Sequence, residues 1–411
     1  MKFSAYHISP FIKQSLEELG YNRPTDIQYK AIPSILKGED VLAIAQTGTG
    51  KTAAFAIPVI ELISKRKEKY GKCLRCLVMV PTHELAIQIA NVFDSIAKYM
   101  DITTVGIFGG VAQDPQIAAL KDGADILVAT PGRLFDLASQ GHINLRDIEI
   151  LILDEADHML DLGFYKDITD LIKRLPRNRQ TLFFSATISE KIKDLAYSIV
   201  RNAIRIQISP KDPVSKNIDH SVMFVSMDDK RFFLERLINE NPDSRILVFV
   251  RTKVRAERVA LAMDRVGIKT ITMHGGKEQA DRLKVMKAFK EGEVNVLIAT
   301  DVSARGVHID NVDFVVNYDL PEQEENYVHR VGRTGRGNKR GNAVSFCSEE
   351  EKPVLKLIEK YLHNPIKVLD VAKEDYKETL LFTEDTNDNW RLLMKEAEKE
   401  SKKGKSKKHK K

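Results

Sequence analysis

Two short stretches of the sequence combine glycine, lysine and carboxylate residues at spacings suited to phosphate chemistry. Residues 45–52 read AQTGTGKT, where glycines let backbone N–H groups turn toward phosphates, Lys51 can reach the β and γ phosphates, and Thr52 can bind Mg²⁺. The apolar run LILDEADHML ends in carboxylates, of which Asp154 can hold Mg²⁺ and Glu155 can orient an attacking water. Acids after a strand often only cap a helix, but joined to the loop they predict binding and hydrolysis of a nucleoside triphosphate.

A basic cluster, HRVGRTGR, occupies residues 329–336 and contains three arginines and one histidine. Most short arginine-rich runs are solvated loops that contact nucleic-acid phosphates without specificity. The cluster alone therefore leaves two interpretations open, a grip on a nucleic-acid backbone and a more specific catalytic role.

The elements around these residues alternate between strand and helix. Continuous apolar runs at 40–45, 75–80, 124–129, 148–153 and 181–186 predict buried strands. Helical patterns begin at Lys51 and Glu84 and near Leu134. Strands alternating with helices predict an α/β fold in which a mostly parallel sheet is flanked by helices.

The alternation stops at a polar stretch containing two prolines and restarts with HSVMFV. We therefore predict two tandem α/β domains: residues 1–208, a linker at 209–218, a second domain at 219–368, and a charged tail at 369–411 that we expect to be disordered. Residues 401–411 contain seven lysines, and without them the net charge of +6 becomes −1. The tail either solubilises the chain or adds salt-sensitive attraction to nucleic acid.

Composition excludes several classes of protein. With 43% hydrophobic and 30% charged residues, and no apolar run near the length of about 18 residues that spans a bilayer, we expect a cytoplasmic globular protein with no membrane partner. The first residues do not resemble a signal peptide. The three cysteines suggest no disulfide framework, and the CLRC pair at Cys73 and Cys76 has no second pair with which to bind zinc.

The motifs, in their order along the chain, resemble those of the DEAD-box RNA helicases, superfamily 2 ATPases with two RecA-like domains. The resemblance covers about residues 1–365 and rests on GYNRPTDIQ, AQTGTGKT, DEAD, SAT, QADR, ATDVSARG and HRVGRTGR. Because no folded RNA-binding domain is added to this core, the chain is most similar to the bacterial RhlE-type members.

The resemblance implies a role for each matching residue. ATP would be bound by Phe3, Arg23, Gln28, Gln46, Thr47, Gly48, Thr49, Gly50, Lys51 and Thr52, with Mg²⁺ on Thr52 and Asp154. The catalytic residues would be Lys51, Glu155, Arg333 and Arg336, the arginines acting as fingers that reach the γ-phosphate. The polar link between the domains would be formed by Asp157, Ser185, Thr187 and His329. RNA would lie on Thr82, His83, Gly109, Gly110, Thr130, Arg133, Gln279, Arg282 and Thr300.

Two positions depart from the family pattern. His83 replaces the arginine of PTRELA, and an unperturbed imidazole is mostly neutral at pH 7, so a weaker hold on RNA phosphate is expected there. His308 stands where the family usually has the aspartate that contacts the ATP ribose. Asp310 follows two residues later, on the same face of an extended segment.

The resulting prediction is an ATP-dependent RNA helicase that uses ATP and Mg²⁺ and separates short duplexes or remodels RNA–protein complexes, possible settings being ribosomal or mRNA-decay complexes. RNA contacts to phosphate and 2′-OH would carry no sequence preference. One alternative is a DNA-directed superfamily 2 helicase, which is disfavoured by the GYNRPTDIQ motif, whose Gln28 would read adenine by resemblance to the family. Another is a catalytically idle RNA clamp, which would be expected to lack Glu155 or the arginines of HRVGRTGR.

Overall fold

The structure is a computed structural model that describes residues 2–45, 48–208, 214–215, 217–301, 312–335, 340–370, 376 and 379. Within these residues the chain forms two seven-stranded sheets, and every strand pair in both sheets is parallel. Helices flank both sheets, which confirms the predicted fold of two tandem RecA-like domains.

The N-terminal sheet has the strand order β3-β4-β2-β5-β6-β1-β7. Its strands are β1 (Val41–Ala45), β2 (Cys76–Met79), β3 (Thr104–Ile107), β4 (Ile126–Ala129), β5 (Ile150–Leu153), β6 (Gln180–Ser185) and β7 (Ile204–Ile208). Its helices are α1 (Pro10–Glu18), α2 (Asp26–Leu36), α3 (Lys51–Tyr70), α4 (His83–Ile96), α5 (Asp114–Lys121), α6 (Pro131–Ser139), α7 (Ala156–Asp161), α8 (Tyr165–Arg174) and α9 (Glu190–Ile199), with a short 3₁₀ helix at Phe3–Ala5.

The C-terminal sheet has the order β10-β11-β9-β12-β13-β8-β14. When the strands of each domain are numbered from its own first strand, the two sheets have the same order. Its strands are β8 (Ile218–Phe224), β9 (Ile246–Phe249), β10 (Thr270–Met273), β11 (Val296–Ala299), β12 (Phe314–Asn317), β13 (Gly341–Cys347) and β14 (Lys367–Val368). Its helices are α10 (Lys230–Glu240), α11 (Lys253–Arg265), α12 (Gln279–Glu291), α13 (Glu324–Val331) and α14 (Lys352–Leu362), with a 3₁₀ helix at Glu349–Glu351.

Each sheet is buried on both faces, because successive side chains along a strand point to opposite layers of helices. In β1, β2, β4 and β5 every residue is buried, and the alternate residues join two separate apolar clusters. The predicted parallel arrangement brings the carboxyl ends of the strands to one edge of each sheet. The loops that follow these ends carry the residues that could do chemistry.

Three strands that the apolar runs did not predict are β3, β7 and β14. All three lie at sheet edges, where one side of the strand is open and the sequence need not be uniformly apolar. In β7, which reads IRIQI, Ile206 alone is buried. Among the described residues, no helix combines the length and apolar character that a bilayer crossing requires.

Candidate nucleotide and nucleic-acid site between the domains

The phosphate loop joins β1 to the N-terminus of α3, as its sequence predicts. Gly50 has φ +89°, in the left-handed region, and a Cβ atom there would lie 2.5 Å from Gln28 Nε2. Gln28 Nε2 donates a hydrogen bond to the Gly50 carbonyl (3.1 Å), and Gln28 Oε1 accepts one from the Thr25 N–H (3.0 Å). The Gln28 amide therefore caps α2 and ties this helix to the loop.

Lys51 and Thr52 are the first two residues of α3. The Lys51 side chain is buried and its Nζ donates to the carbonyl of Ala45 at 2.8 Å. The ammonium group is thus folded back across the loop, at the positive end of a 20-residue helix. Both features attract an anion to this point, and phosphate oxygens are better partners for an ammonium ion than one carbonyl.

Asp154 follows β5 and is almost fully buried, with one carboxylate oxygen accepting the Glu155 N–H at 3.0 Å. Burial raises the pKa of Asp154 to about 7, although the Lys51 charge opposes that shift. A buried carboxylate of this kind gains from a nearby cation. The described residues contain no group of three or more His, Cys, Asp or Glu side chains able to hold a metal by themselves. Asp154 and the Thr52 hydroxyl fit Mg²⁺ that arrives with a triphosphate, because Mg²⁺ commonly takes few protein ligands and completes its shell with phosphate and water.

Glu155 is the N-cap of α7 and has φ 51° and ψ 48°, a left-handed conformation that is uncommon outside glycine. Its carboxylate is 14% exposed, and Oε2 lies 3.4 Å from Nδ1 of His158. Burial alone would raise the pKa of Glu155. The hydrogen bond from His158 and the charges of His158, Lys51 and Arg333 outweigh burial and hold that pKa at about 2.

Asp157 connects the end of β5 to the end of β6. Its Oδ2 accepts hydrogen bonds from the backbone N–H groups of Ala186 and Thr187 and from the Thr187 hydroxyl, at 3.0 to 3.2 Å. The Ser185 hydroxyl donates to the Thr187 carbonyl at 2.8 Å. Three of the four predicted coupling residues therefore form one hydrogen-bonded unit within the N-terminal domain, and His329 belongs to α13 of the C-terminal domain.

The basic cluster divides into arginines with different surroundings. Arg330, 1% exposed, donates to both carboxylate oxygens of Asp301 (2.6 and 2.7 Å) and to the carbonyl of Asp319 (2.6 Å). Arg333 lies one turn further on, where its Nε donates to the His329 carbonyl at 3.3 Å. Arg333 lines the same cavity as Glu155 of the other domain, and its charge lowers the pKa of that carboxyl.

A cavity of about 590 Å³ unites these groups between the two domains. The N-terminal domain contributes the loop, Asp154 and Glu155, and the C-terminal domain contributes Arg333 together with Leu283, Met286 and Lys290 of α12. One wall is the face of α4. The cavity therefore extends from the phosphate loop along the seam between α4 and α12.

The predicted RNA residues lie at the N-termini of α4, α6 and α12 and on the segments that follow β3 and β11. Thr82 caps α4 through a hydrogen bond from the Leu85 N–H (3.3 Å), and Thr130 precedes α6. Arg133 donates to the carbonyl of Val111 (2.8 Å) and so fixes the loop that contains Gly109 and Gly110. Gln279 begins α12, with Arg282 one turn later, and Thr300 follows β11.

The two domains meet at this cluster. Glu84, in the first turn of α4, accepts a hydrogen bond from Gln279 Nε2 at 3.2 Å. It also forms an ion pair with Arg282, whose Nη2 lies 2.8 Å from the Glu84 carboxylate. A Cβ atom on Gly110, whose φ is +75°, would lie 3.2 Å from the Cβ atom of Gln279. His83 stacks on Phe108 beside the same loop, with ring centroids 5.6 Å apart.

Comparison with known proteins matches this architecture to one family. The DEAD/DEAH box helicase family matches residues 25–195, and the helicase conserved C-terminal domain matches residues 229–338. The chain belongs to the DEAD-box helicase family. Its relatives include the ATP-dependent RNA helicase DbpA of Bacillus subtilis, 39% identical over 91% of this chain and 77% of that protein. The ATP-dependent RNA helicase RhlB of Shewanella woodyi is 40% identical over 91% of this chain and 86% of that protein.

Solved DEAD-box structures share the fold over nearly the whole chain. S. cerevisiae Dbp5 bound to RNA and ADP BeF3 superposes with a TM-score of 0.80 at 28% identity, covering 92% of this chain and 97% of that one. The DEAD-box helicase Mss116 bound to ssRNA and UDP-BeF superposes with a TM-score of 0.82 at 27% identity, covering 92% of this chain and 81% of that one.

Three residues of this DEAD-box site were not predicted from the sequence. Tyr21 lines the cavity and packs edge-on against Phe3, with ring centroids 6.2 Å apart, whereas Phe3 itself is buried. Glu84 joins the domains, and His158 contacts Glu155. Tyr21 lies within the GYNRPTDIQ motif, so its place at the site could have been predicted from the sequence. The contacts of Glu84 and His158 could not, because they form only in the folded protein.

Several predicted residues lie outside the described part of the chain. They are Gln46, Thr47, His308, Asp310 and Arg336. The predicted tail also lies outside it, except for residues 369–370, Tyr376 and Thr379. The Tyr376 hydroxyl donates to Asp229 at 2.7 Å, and Thr379 accepts a hydrogen bond from Arg236 at 2.8 Å, so both contact α10 or its N-cap.

Proposed function

We propose that this chain is an ATP-dependent RNA helicase in which ATP hydrolysis requires the two domains to be together. The observation that carries the proposal is the shared cavity: Lys51 and Glu155 belong to one domain, and Arg333 reaches them from the other. An arginine that enters from a second domain stabilises charge at a transferring phosphoryl group only while the cleft is closed.

The residues of the N-terminal domain divide the work at the nucleotide. Lys51 and the N–H groups at the start of α3 would bind the phosphates, and Gln28 and Arg23 would recognise the adenine. Glu155 would accept a hydrogen bond from the attacking water through a carboxylate that stays ionised near neutral pH. Thr52 and Asp154 would hold Mg²⁺, which when bound neutralises phosphate charge.

Arg333 would act as the finger, with Arg336 as its predicted companion. The hydrogen-bonded unit of Asp157, Ser185 and Thr187, together with His329, would carry the domain closure to the ends of β5 and β6. ATP and RNA would each bind more tightly to the closed pair of domains, so that each favours the other by population shift.

RNA would lie across both domains, at the N-termini of α4, α6 and α12 and on the segments that follow β3 and β11. Helix N-termini and loop glycines present backbone N–H groups, which suit phosphate and 2′-OH rather than base edges. Supporting this, two structural neighbours, Dbp5 and Mss116, are bound to RNA in their solved structures. Such contacts would separate short duplexes locally without reading sequence.

Finer assignments remain proposals. The similarity to RhlE-type members rests on the short core alone, while the named relatives are DbpA and RhlB. Domain limits at 208 and 219 are supported by the break between β7 and β8. A cytoplasmic location is supported by the three cysteines, which suggest no disulfide framework, and ribosomal or mRNA-decay complexes are proposed as settings for the activity.

The test is phosphate release from ATP measured with RNA, with DNA of the same sequence and with neither. We expect stimulation by RNA alone, and loss of that stimulated rate in Glu155→Gln. Equal stimulation by DNA would contradict the RNA assignment. A fully active Glu155→Gln variant would contradict the role given to Glu155.

A further inference from the structure

One histidine beside the catalytic centre has no role in the function proposed above. His158 lies one helical turn after Glu155 and is 4% exposed. Its Nδ1 approaches Glu155 Oε2 at 3.4 Å, while its Nε2 is buried and has no hydrogen-bond partner among the described residues. A buried polar atom without a partner is costly, so the imidazole sits here at an energetic disadvantage that calls for an explanation.

The direction of the contact between His158 and Glu155 follows from the chemistry of the carboxylate. An ionised carboxylate only accepts hydrogen bonds, so the ring nitrogen that faces Glu155 must carry hydrogen. Nδ1 of His158 is therefore the donor and Glu155 Oε2 the acceptor.

The Glu155 carboxylate needs such a partner because little else holds it. The left-handed backbone at this residue places the side chain at the mouth of the cavity, ahead of the first turn of α7. Within the described residues, His158 Nδ1 is the one side-chain hydrogen-bond donor to this carboxylate. With Oε2 engaged, the second oxygen, Oε1, is left to accept a proton or hydrogen bond from water in the cleft.

We propose that His158 is a positioning residue that fixes the Glu155 carboxylate with one oxygen directed at the attacking water. The proposal rests on the proposed function, since it assumes that Glu155 orients that water. His158 itself does not touch ATP in this account; it acts through Glu155. The distance of 3.4 Å is long for a hydrogen bond and is expected to shorten once substrate fills the cavity.

The experiment compares three substitutions in the full chain by RNA-stimulated ATP hydrolysis. His158→Leu approximately keeps the side-chain volume but removes the hydrogen-bond donor to Glu155. His158→Gln supplies an amide nitrogen at the position of Nε2, not at that of Nδ1. We expect both to lower kcat by about 10- to 100-fold, the cost typical of a misplaced catalytic group, with KM for ATP and for RNA unchanged. His158→Asn, whose amide nitrogen occupies the position of Nδ1, should restore most of kcat.

Met159→Leu, a fully buried neighbour on α7, is the matched control for packing and should leave kcat unchanged. Thermal unfolding of each variant identifies any that fails to fold. If His158→Leu does not fold, the contrast between the two polar variants, Asn and Gln, still decides the question. Equal kcat in Asn and Gln variants, or a change confined to KM, would overturn the proposal.

A double-mutant cycle separates this proposal from the function beneath it. If His158 acts through Glu155, adding His158→Leu to Glu155→Gln should cause no further fall in the single-turnover rate. An additional fall as large as in the wild-type background would overturn the positioning role alone. Full activity in Glu155→Gln would overturn both the positioning role and the proposed function of Glu155.

Discussion

At the scale of single residues, the basic cluster HRVGRTGR contains arginines that look alike in the sequence and differ in the fold. Arg330 points into the C-terminal domain, where Asp301, Asn317 and a backbone carbonyl satisfy its guanidinium. Arg333, three residues later, reaches the cavity between the domains. Spacing could not separate them, because the difference depends on where α13 ends: Arg330 lies within the helix and Arg333 lies two residues beyond it.

Replacing Arg333 by Ala should remove charge stabilisation from the transition state without removing an RNA contact. We expect RNA-stimulated kcat to fall by about 10³-fold, in the range known for arginine fingers, with little change in RNA affinity. Steady-state ATPase assays and RNA titrations measure the two quantities. A large loss of RNA affinity with kcat preserved at saturating RNA would assign Arg333 to RNA instead.

Arg330→Lys is the matched control within the same cluster. An ammonium group cannot reproduce the two-pronged contact with Asp301 and the contact with the Asp319 carbonyl. Leaving that buried network incomplete should destabilise the domain by about 3 kcal/mol, seen as a lower midpoint of thermal unfolding. Arg333→Ala should leave this midpoint unchanged.

His83 offers a gain-of-function test at the predicted RNA surface. The ring stacks on Phe108, and a planar guanidinium can keep that contact while adding a permanent charge. We expect His83→Arg to raise RNA affinity at low salt and to steepen the dependence of log K on log salt by about 0.7, the value for one further phosphate contact on a single strand. Filter binding over a salt series measures both, and unchanged affinity at low salt would count against a phosphate contact at this position.

At the scale of elements, the phosphate loop depends on how closely α2 approaches it. Gly50 and Gly48 both have positive φ. Among the described residues, a Cβ on Gly48 would meet nothing within 4 Å, whereas one on Gly50 would collide with Gln28. Substituting Ala at either position pays for the left-handed backbone, about 1 to 2 kcal/mol. Only Gly50→Ala also separates α2 from the loop.

We therefore expect Gly50→Ala to lower the unfolding midpoint of the nucleotide-free protein more than Gly48→Ala does. Differential scanning calorimetry of the two variants without ATP makes the comparison, because phosphate contacts are then not involved. Equal midpoints would mean that the hydrogen bond from Gln28 to the Gly50 carbonyl contributes little to the loop.

The sequence predicted the strands that are buried on both faces and missed three of the four edge strands. Strands such as β2 and β5 are continuous apolar runs because helices cover both faces. The edge strands β3 and β7 carry polar or small residues and gave no such run. Motif residues were likewise predictable where their position depends only on the neighbouring strand, loop and helix, as for Lys51 at the start of α3.

At the scale of the whole molecule, contacts between the domains could not be predicted, because they join residues far apart in the chain. Glu84 and Gln279 are separated by 195 positions, and the sequence assigned Gln279 and Arg282 to RNA only. In the structure one carboxylate oxygen of Glu84 contacts both side chains. The same residues that are proposed to hold RNA therefore also join the domains.

Because residues proposed to bind RNA also join the domains, we expect RNA binding, ATP binding and domain closure to be coupled. Glu84→Gln preserves shape but removes the charge that pairs with Arg282, so it should weaken domain closure while leaving each domain folded. Glu18→Gln, which breaks an exposed ion pair with Lys98, is the matched control and should behave as wild type.

The most direct test is the dissociation constant for single-stranded RNA with and without a non-hydrolysable ATP analogue. In the wild type we expect the analogue to tighten RNA binding by at least about 10-fold, within the usual range of coupling between two sites, and Glu84→Gln to reduce that factor. RNA affinity that is the same with and without the analogue would contradict the claim that ATP and RNA act through one closed state.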